Sequence, residues 1–222
     1  MPVCRAVIFD LDGVLLDSER VAMGRWKQVA RDLGLDGIEQ VYMRCIGTTP
    51  ARTREILEAA YGPAFSLDSF YALLSTQFQR SAKAQMPVKN GSREILEALK
   101  AAGLPLAVAS SSPEEYVRRE LSDAGLLDFF DHVVTGDMVT HSKPHPEIFL
   151  KAGALCAAEP PEIWVIEDSY NGVRAAHAAG MRPLMVPDLI PPDDEMREKA
   201  AAILPDLLSA RDYLLAMTDT EE

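Results

Sequence analysis

The chain has 222 residues, 48% of them hydrophobic, which suffices for one large domain or for a medium domain with a smaller insert. Its formal net charge of -12 and sequence pI of about 4.8 argue against nucleic acid or an anionic membrane surface as partners, because both favour a basic patch. No apolar run approaches the ~20 residues of a membrane-spanning helix and no signal peptide is visible, so we expect a soluble, cytoplasmic protein.

The first predicted element is a buried parallel strand over Val7–Phe9. This apolar run stops at Asp10, and the turn signal Asp12-Gly13 follows. Ligands of open α/β sheets bind outside the carboxyl ends of the strands, where two aspartates spaced two apart can share one pocket. The pattern favours a site for a cation and a reacting electrophile. Two solvated loop acids are the alternative; a calcium loop is disfavoured because the apolar stretch 14–16 lacks oxygen ligands.

The segment that follows the first strand is predicted to be helical. Apolar residues recur at helical spacing, and no alternating strand pattern occurs between Asp17 and Gln85. We predict helices over 17–33, 38–44, 50–61 and 67–84, the third of them capped by Thr49. Residues 17–86 are therefore interpreted as an all-helical domain inserted after the first strand.

From Met86 onwards, predicted strands alternate with predicted helices. The strands are predicted over 105–109, 132–135, 163–166 and 183–186, and the intervening helices include 92–102 and 170–180. Alternation of this kind indicates a doubly wound, Rossmann-like parallel sheet with helices on both faces. Residues 1–16 and 87–222 are thus interpreted as an α/β core. The three cysteines are far apart and lack metal-ligand spacing, which indicates free thiols.

Serines follow the predicted strand 105–109. Ser110 lies at the strand tip, where its hydroxyl and the backbone N–H of Ser111 could donate to a bound group. Ser112, with Glu115 three residues later, is interpreted as a capping box for the next helix and not as a ligand contact. An ordinary loop is the alternative reading, since serine is common in turns.

Lys143 precedes a predicted helix start. Pro144 favours an extended conformation for Lys143, and Pro146 suits the first turn of a helix. A lysine in this position offers a compact charge to a phosphate oxygen, although a solvated surface lysine is the alternative. His141 and His145 flank it and could suggest a metal pair, but loop histidines are commoner, and we predict no site from them.

Glu167 and Asp168 close the predicted strand 163–166. Two adjacent carboxylates at the end of a buried strand repel each other and are costly without a cation. Asp168 is interpreted as a hard oxygen ligand, of the kind that Mg2+ takes together with substrate phosphate and water. Glu167 is interpreted as a residue that orients Lys143 or a bound water, and Asn171 could support this loop.

Taken in order, these strand-end residues resemble the four motifs of the haloacid dehalogenase (HAD) superfamily. The resemblance lies in the segments IFDLDGVLLDSE, SKPHPEIF and IEDSYNGVRAAHAAG and in Ser110. More closely, the chain resembles the branch that holds β-phosphoglucomutase and small sugar-phosphate phosphatases, which carry a helical cap after strand one. The resemblance covers essentially the whole chain. It implies a Mg2+-dependent phosphatase for a small phosphate monoester, which we expect to be a monomer.

The resemblance also implies a role for each matching residue. Asp10 would be the nucleophile that forms an aspartyl-phosphate, and Asp12 the general acid and then the general base. A carboxylate can attack a phosphate dianion only if nearby positive charge offsets their repulsion. The implied phosphate-binding residues are Ser110, Ser111 and Lys143. The implied Mg2+ ligands are Asp10, the backbone carbonyl of Asp12, and Asp168.

The predicted cap departs from the mutase pattern. Mutases of this branch resemble one another in carrying a histidine on the first cap helix, where this chain has Ala22, and a lysine on the last, where it has Gln77 or Arg80. We therefore predict hydrolysis, with a β-phosphoglucomutase-like phosphosugar mutase as the alternative. A non-catalytic phospho-ligand binding module is a third reading, which the second carboxyl, Asp12, argues against.

A substrate-reading surface on the cap is predicted within residues 47–54. Its candidate residues are Thr48, Thr49 and Arg52. A helix N-terminus with solvated arginines is an equally good reading of this segment.

Overall fold

The structure is a computed structural model that describes residues 3–46, 48, 50–81 and 85–218. The chain forms two compact units, one from the described residues of Met1–Asp17 and Met86–Glu222 and the other from Ser18–Gln85. Asp17 and Met86, which we predicted in the cap, belong instead to the first unit. Backbone pairing explains the assignment of Asp17, because its N–H donates to the carbonyl of Pro87 at 2.8 Å.

The first unit is built on a parallel sheet, six-stranded in the described part of the chain. Its strand order is β3-β2-β1-β4-β5-β6, with β1 beside both β2 and β4. The doubly wound parallel sheet predicted from the sequence is therefore confirmed. The short last strand was not predicted, since two residues carry no periodicity. The strands are β1 (Ala6–Phe9), β2 (Leu106–Ser110), β3 (His132–Thr135), β4 (Ile163–Glu167), β5 (Arg182–Met185) and β6 (Ala202–Ile203).

The described part of the second unit contains four helices. The first unit has helices of its own, which pack on its sheet. The predicted helices agree with the structure to within a few residues, although residues 82–84, the predicted end of the fourth helix, lie outside the described residues. Helix α9 was not predicted. In the second unit the helices are α1 (Ser18–Leu33), α2 (Ile38–Cys45), α3 (Pro50–Tyr61) and α4 (Leu67–Ser81). In the first unit they are α5 (Ser92–Ala101), α6 (Glu114–Asp123), α7 (Glu147–Leu155), α8 (Tyr170–Ala178), α9 (Asp194–Lys199) and α10 (Leu207–Leu215).

The core of the first unit lies on both faces of the central strands. Every residue of β1, β2 and β4 is buried, as expected for a parallel sheet sandwiched between helices. Trp164, Phe9 and Phe149 are among the largest fully buried side chains. Burial of each large apolar side chain contributes about 1.5–3 kcal/mol, so the strand ends that carry polar residues rest on a rigid base.

An aromatic cluster organises the core of the helical unit. The Trp26 ring of α1 packs edge-on against Tyr42 and against Phe70, each with ring centroids 5.0 Å apart. Phe70 is completely buried, whereas Phe78, further along α4, is 47% exposed beneath the guanidinium of Arg25.

All three cysteines are buried and unpaired, as the sequence predicted. Among the described residues, no helix combines the length and the apolar character needed to cross a bilayer.

Candidate active site

The sheet register brings three polar residues, Asp10, Ser110 and Glu167, to one edge of the sheet. Phe9, the last residue of β1, pairs with Val108 of β2 and Ile166 of β4. The backbone N–H of Asp10 still donates to the carbonyl of Ile166 at 3.0 Å, so Asp10 continues the line of the strand. Because neighbouring parallel strands end at the same edge, the carboxyl ends of β1, β2 and β4 form one platform.

Lys143 joins that platform from the loop before α7. Its Nζ donates to Asp10 Oδ1 at 2.5 Å, to Glu167 Oε1 at 2.6 Å and to the Ala109 carbonyl at 3.0 Å. Only 6% of the lysine side chain is exposed, and its ammonium also lies 4.8 Å from the Phe149 ring centroid. The sequence therefore predicted the meeting of these residues. All three donors of the ammonium are used by protein oxygens, which the sequence did not predict.

The charges of this cluster depend on one another. Burial raises the pKa of Asp10 above its usual value, the Lys143 ammonium opposes this, and the carboxylates of Glu167 and Asp12 add to the rise. Burial alone would lower the pKa of Lys143, but the charges of Asp10 and Glu167 outweigh it and raise that pKa. The lysine is thus a permanent cation beside a carboxylate that needs positive charge to stay ionised.

Glu167 is held from both sides. One carboxylate oxygen accepts from Lys143, and the other accepts from the backbone N–H groups of Asp168 and Ser169 at 3.1 and 3.0 Å and from the Ser169 hydroxyl at 2.9 Å. The Ser169 hydroxyl in turn caps α8 by accepting from the N–H of Gly172 at 3.0 Å. This geometry agrees with the predicted role of Glu167 in orienting Lys143.

Two glycines let the acidic loops approach the backbone. A Cβ at Gly172 would lie 1.8 Å from the Glu167 carboxylate, and a Cβ at Gly13 would lie 2.2 Å from Asp168 Oδ2. Gly13 also has φ +81°, a conformation that disfavours side chains. The glycines therefore make room for two buried carboxylates that any larger residue would displace.

Three carboxylates of this edge could hold a divalent cation. Ligand oxygens of Asp10, Glu167 and Asp168 all lie within 4.8 Å of one another, and all three residues are buried. An all-oxygen donor set of this kind suits Mg2+. Three buried carboxylates face one ammonium, so the charge balance also leaves a place for a cation. The residues present therefore fit the metal that the sequence implied, and Asp10 and Asp168 are brought together as predicted.

Asp12 lies in a different environment from Asp10. Its Oδ2 accepts a hydrogen bond from the Ser112 hydroxyl at 3.0 Å, and the Tyr116 hydroxyl of α6 lies 3.5 Å from its Oδ1. The Asp12 carboxyl is therefore half-buried and held by hydroxyl groups, whereas Asp10 is held by an ammonium.

The capping role predicted for Ser112 is wrong. Helix α6 begins at Glu114, Pro113 occupies the cap position without a side-chain bond, and the N–H of Glu114 is satisfied by Asp137 at 3.2 Å. Ser112 is therefore free to reach Asp12. Spacing alone could not distinguish a cap from this contact, because Ser-x-x-Glu fits both.

The two serines before it keep their predicted places at the strand end. Ser110 is fully buried, and its Oγ accepts from the N–H of Ser112 at 3.1 Å, which tightens the turn. Ser111 is exposed, and its carbonyl packs closely on Gly136, where a Cβ would lie 2.2 Å away. The phosphate-binding role of this turn remains a prediction.

Other predicted site residues bond to neighbours three positions away in the sequence. Asn171 Oδ1 accepts from Arg174 at 3.2 Å. In the helical unit, Thr48 Oγ1 donates to the Cys45 carbonyl at 2.7 Å, and the exposed Arg52 pairs with Glu55 at 2.7 Å. Thr49 lies outside the described residues. The substrate-reading role of these cap residues therefore remains a prediction.

The comparisons with known proteins point to one family. The family model described as haloacid dehalogenase-like hydrolase matches residues 7–186. The phosphorylated carbohydrates phosphatase of Thermotoga maritima is 34% identical over 176 residues, which cover 79% of this chain and 82% of that protein. Hexitol phosphatase B of Escherichia coli is 31% identical over 199 residues, covering 82% and 83%.

A solved structure gives the same answer for the fold. The HAD family hydrolase from Deinococcus radiodurans, crystallised with phosphate and sodium, matches with a TM-score of 0.84 and 29% identity. The match covers 98% of this chain and 97% of that one. Motif order, fold and relatives agree with the resemblance seen in the sequence, and the chain belongs to the haloacid dehalogenase-like hydrolases.

Proposed function

We propose that this protein is a Mg2+-dependent phosphatase that hydrolyses a small phosphate monoester, a sugar phosphate, through an aspartyl-phosphate on Asp10. The names of the relatives support a phosphatase acting on phosphorylated carbohydrates. The observation that carries the proposal is the contrast between two carboxyls at one strand end. Asp10 is buried against an ammonium, and Asp12 is half-buried among hydroxyl groups.

In the first step, an Asp10 carboxylate oxygen attacks phosphorus and the bond from phosphorus to the ester oxygen breaks. Asp12 donates its proton to the departing oxygen, so that the sugar leaves as an alcohol. Lys143 keeps the nucleophile oriented and offsets negative charge as the dianion approaches. Mg2+, held by Asp10, Asp168 and the Asp12 carbonyl, would supply further neutralisation of the phosphoryl oxygens.

In the second step, Asp12 acts in the opposite direction. Its carboxylate takes a proton from water, the water oxygen bonds to phosphorus, and the acyl phosphate bond of Asp10 breaks to give inorganic phosphate. The hydroxyl of Ser112 supports both proton transfers because it holds the Asp12 side chain in place without neutralising it. Asp12 and Asp10 both end the cycle in their starting states.

Hydrolysis is favoured over phosphoryl transfer within a sugar by the content of the helical unit. Ala22 of α1 and either Gln77 or Arg80 of α4 stand where the mutase pattern has a histidine and a lysine. Alanine and glutamine carry no titratable group, and an arginine stays protonated, so none of them serves as a base. A phosphoryl group on Asp10 is therefore more readily passed to water than returned to a second sugar oxygen.

The test is the release of inorganic phosphate from a panel of sugar phosphates with and without Mg2+. Asp10→Asn should lower turnover by roughly 10³-fold or more, because the amide cannot act as the nucleophile. The matched control is Asp128→Asn, an exposed aspartate far along the chain, which should retain wild-type turnover. Activity that survives in Asp10→Asn, or that needs no divalent ion, would refute the proposal.

A further inference from the structure

The loop that carries Lys143 and the first residue of α7 bring two histidines and one glutamate together on the surface. His141 Nδ1 lies 3.0 Å from Glu147 Oε2, and His145 Nδ1 lies 3.9 Å from the same oxygen. The two imidazole rings face each other with centroids 4.6 Å apart. One ligand atom from each residue lies within 4.8 Å of the others. We call these three side chains the His-His-Glu cluster.

From this arrangement we propose that the His-His-Glu cluster binds one divalent transition-metal ion of the zinc type, separate from the acidic site at Asp10. The set of two imidazoles and one carboxylate is one that Zn2+ accepts, with water completing the tetrahedron. Tetrahedral ligands at zinc distances are about 3.3 Å apart. The two separations of 3.0 and 3.9 Å bracket that value, so small side-chain rotations bring the ligand atoms to it.

Glu147 is already oriented for this role. Its Oε1 accepts the N–H of Thr140 at 2.8 Å and its Oε2 accepts the N–H of His141 at 2.9 Å. Hydrogen bonds of this kind fix the direction of a ligating carboxylate while leaving lone pairs for a metal. The N–H of Thr140, the imidazole of His141 and the N–H of His141 together lower the pKa of Glu147 to about 2, so its carboxyl is ionised.

The imidazole nitrogens are turned the right way as well. His145 Nδ1 accepts from the backbone N–H of Glu147 at 3.3 Å, a long hydrogen bond that a metal ion on this nitrogen would replace. His141 Nδ1 meets the carboxylate, where a metal ion can replace the shared proton. Both histidine side chains are at least half exposed, so a hydrated ion can reach them.

Nearby charges do not oppose a cation here. Lys143 lies between the histidines in sequence, but its ammonium is buried against Asp10 and Glu167. The net charge of -12 attracts cations in general. The thiols offer no competing soft site, because burial raises the pKa of Cys4 to about 12 and of Cys156 to about 11. Imidazole ligands also distinguish this cluster from the all-oxygen site, which suits Mg2+.

The proposal is independent of the proposed function, and its test does not measure activity. Zn2+ is titrated calorimetrically into the full chain in excess Mg2+, which occupies the acidic site. We expect one equivalent to bind to the wild type and the affinity to fall by at least ~10-fold in His141→Gln and in His145→Gln. His177→Gln, which removes an exposed histidine of α8, is the matched control and should bind Zn2+ as the wild type does.

A second measurement uses the unaltered protein and so does not depend on how the variants fold. Zn2+ added in excess Mg2+ should shift the imidazole NMR resonances of His141 and His145 and leave those of His132 and His177 in place. The proposal is overturned if the wild type takes up no Zn2+, if both cluster variants bind it as tightly as the wild type, or if the shifts fall on the other two histidines.

Discussion

At the scale of single residues, the arrangement of Lys143 has the clearest chemical consequence. Its ammonium is shared among Asp10, Glu167 and a backbone carbonyl, so the negative charge of the Asp10 carboxylate is offset before any substrate arrives. A phosphate oxygen that contacts this lysine must replace one of those three acceptors. The observed contact of Lys143 is therefore with Asp10, and its contact with phosphate remains a prediction.

The acidic cluster leads to a prediction about metal dependence. Asp168→Ala removes one of three buried carboxylates that lie within reach of a common ion, so we expect the Mg2+ concentration for half-maximal activity to rise by ~10-fold or more. The measurement is a Mg2+ titration of phosphate release. Glu198→Ala, an exposed acid of α9, serves as the control, and an Asp168→Ala titration that overlays the wild type would remove Asp168 from the ligand set.

Ser112 leads to a prediction about the leaving group. If its hydroxyl positions Asp12 as a general acid, Ser112→Ala should slow the cleavage of sugar phosphates, whose alkoxide leaves poorly, by ~10-fold or more. The first chemical step with p-nitrophenyl phosphate should change far less, because that leaving group needs no proton. The pre-steady-state release of p-nitrophenolate measures this first step separately from the second.

The control for Ser112 is Ser122→Ala, an exposed serine near the end of α6, which should affect neither substrate. An equal loss with both leaving groups would indicate that Ser112 acts on the binding of phosphate or on the fold, and not on Asp12.

At the scale of elements, the N-terminus of α8 helps to position Glu167, the acid at the end of β4. Ser169 caps the helix and also holds Glu167, so the start of the helix and the end of the strand share one set of hydrogen bonds. Gly172 completes the arrangement by leaving the space that the Glu167 carboxylate occupies. A change in the first turn of α8 is therefore a change in the active site.

Gly172→Ala tests this coupling. Alanine normally stabilises a helix relative to glycine by about 0.5–1 kcal/mol, but here the new Cβ would overlap the Glu167 carboxylate at 1.8 Å. We expect a loss of about 1–3 kcal/mol in unfolding free energy, with reduced turnover. The matched control is Gly24→Ala in α1, where no atom lies within 4 Å of the added Cβ and a small gain is expected. Denaturant unfolding measures both, and a stabilised Gly172→Ala would contradict the coupling.

The loop before α7 leads to a prediction about pH. The N–H of Thr140, the imidazole of His141 and the N–H of His141 hold the pKa of Glu147 at about 2, below its ordinary value of 4.5. A lowered pKa means that the stabilisation is complete above pH 4.5 and is lost as the pH falls from there towards 2. Metal-free Glu147→Gln should therefore melt below the wild type at pH 7, and the difference should shrink in acid.

Thermal melts in a chelating buffer measure this dependence. Glu198→Gln is the control, and its melting temperature should follow the wild type at every pH. A Glu147→Gln deficit that stayed constant between pH 7 and pH 3 would show that the effect does not come from the carboxylate charge.

At the scale of the whole molecule, the sequence predicts the architecture and the strand-end residues well. Apolar runs and helix signals identify β1, β2, β4 and most helices, because burial on both sheet faces leaves an unmistakable pattern. The same argument predicts that Asp10, Lys143 and Glu167 meet at one edge. The sequence did not predict the short elements α9 and β6, because six and two residues are too few to show a periodic pattern.

Contacts between side chains from distant segments were the harder part. The bond from Ser112 to Asp12 spans 100 positions, and nothing in the local pattern distinguishes it from a helix cap. The His-His-Glu cluster forms because the loop before α7 places its two histidines beside Glu147. The sequence does not show this contact, so we predicted no site from the histidines. Only the three-dimensional structure identifies Glu147 as their partner.

The central claim is that Asp10 carries the phosphoryl group during turnover. The most direct measurement is mass spectrometry of peptides from acid-quenched enzyme, using Asp12→Asn with p-nitrophenyl phosphate so that the first step proceeds and the second lacks its base. The account predicts a phosphoryl group on the peptide that contains Asp10, and none in Asp10→Asn. Two results would contradict it. One is that the wild type turns over while neither it nor Asp12→Asn carries a covalent phosphoryl group. The other is a phosphoryl group on a different residue.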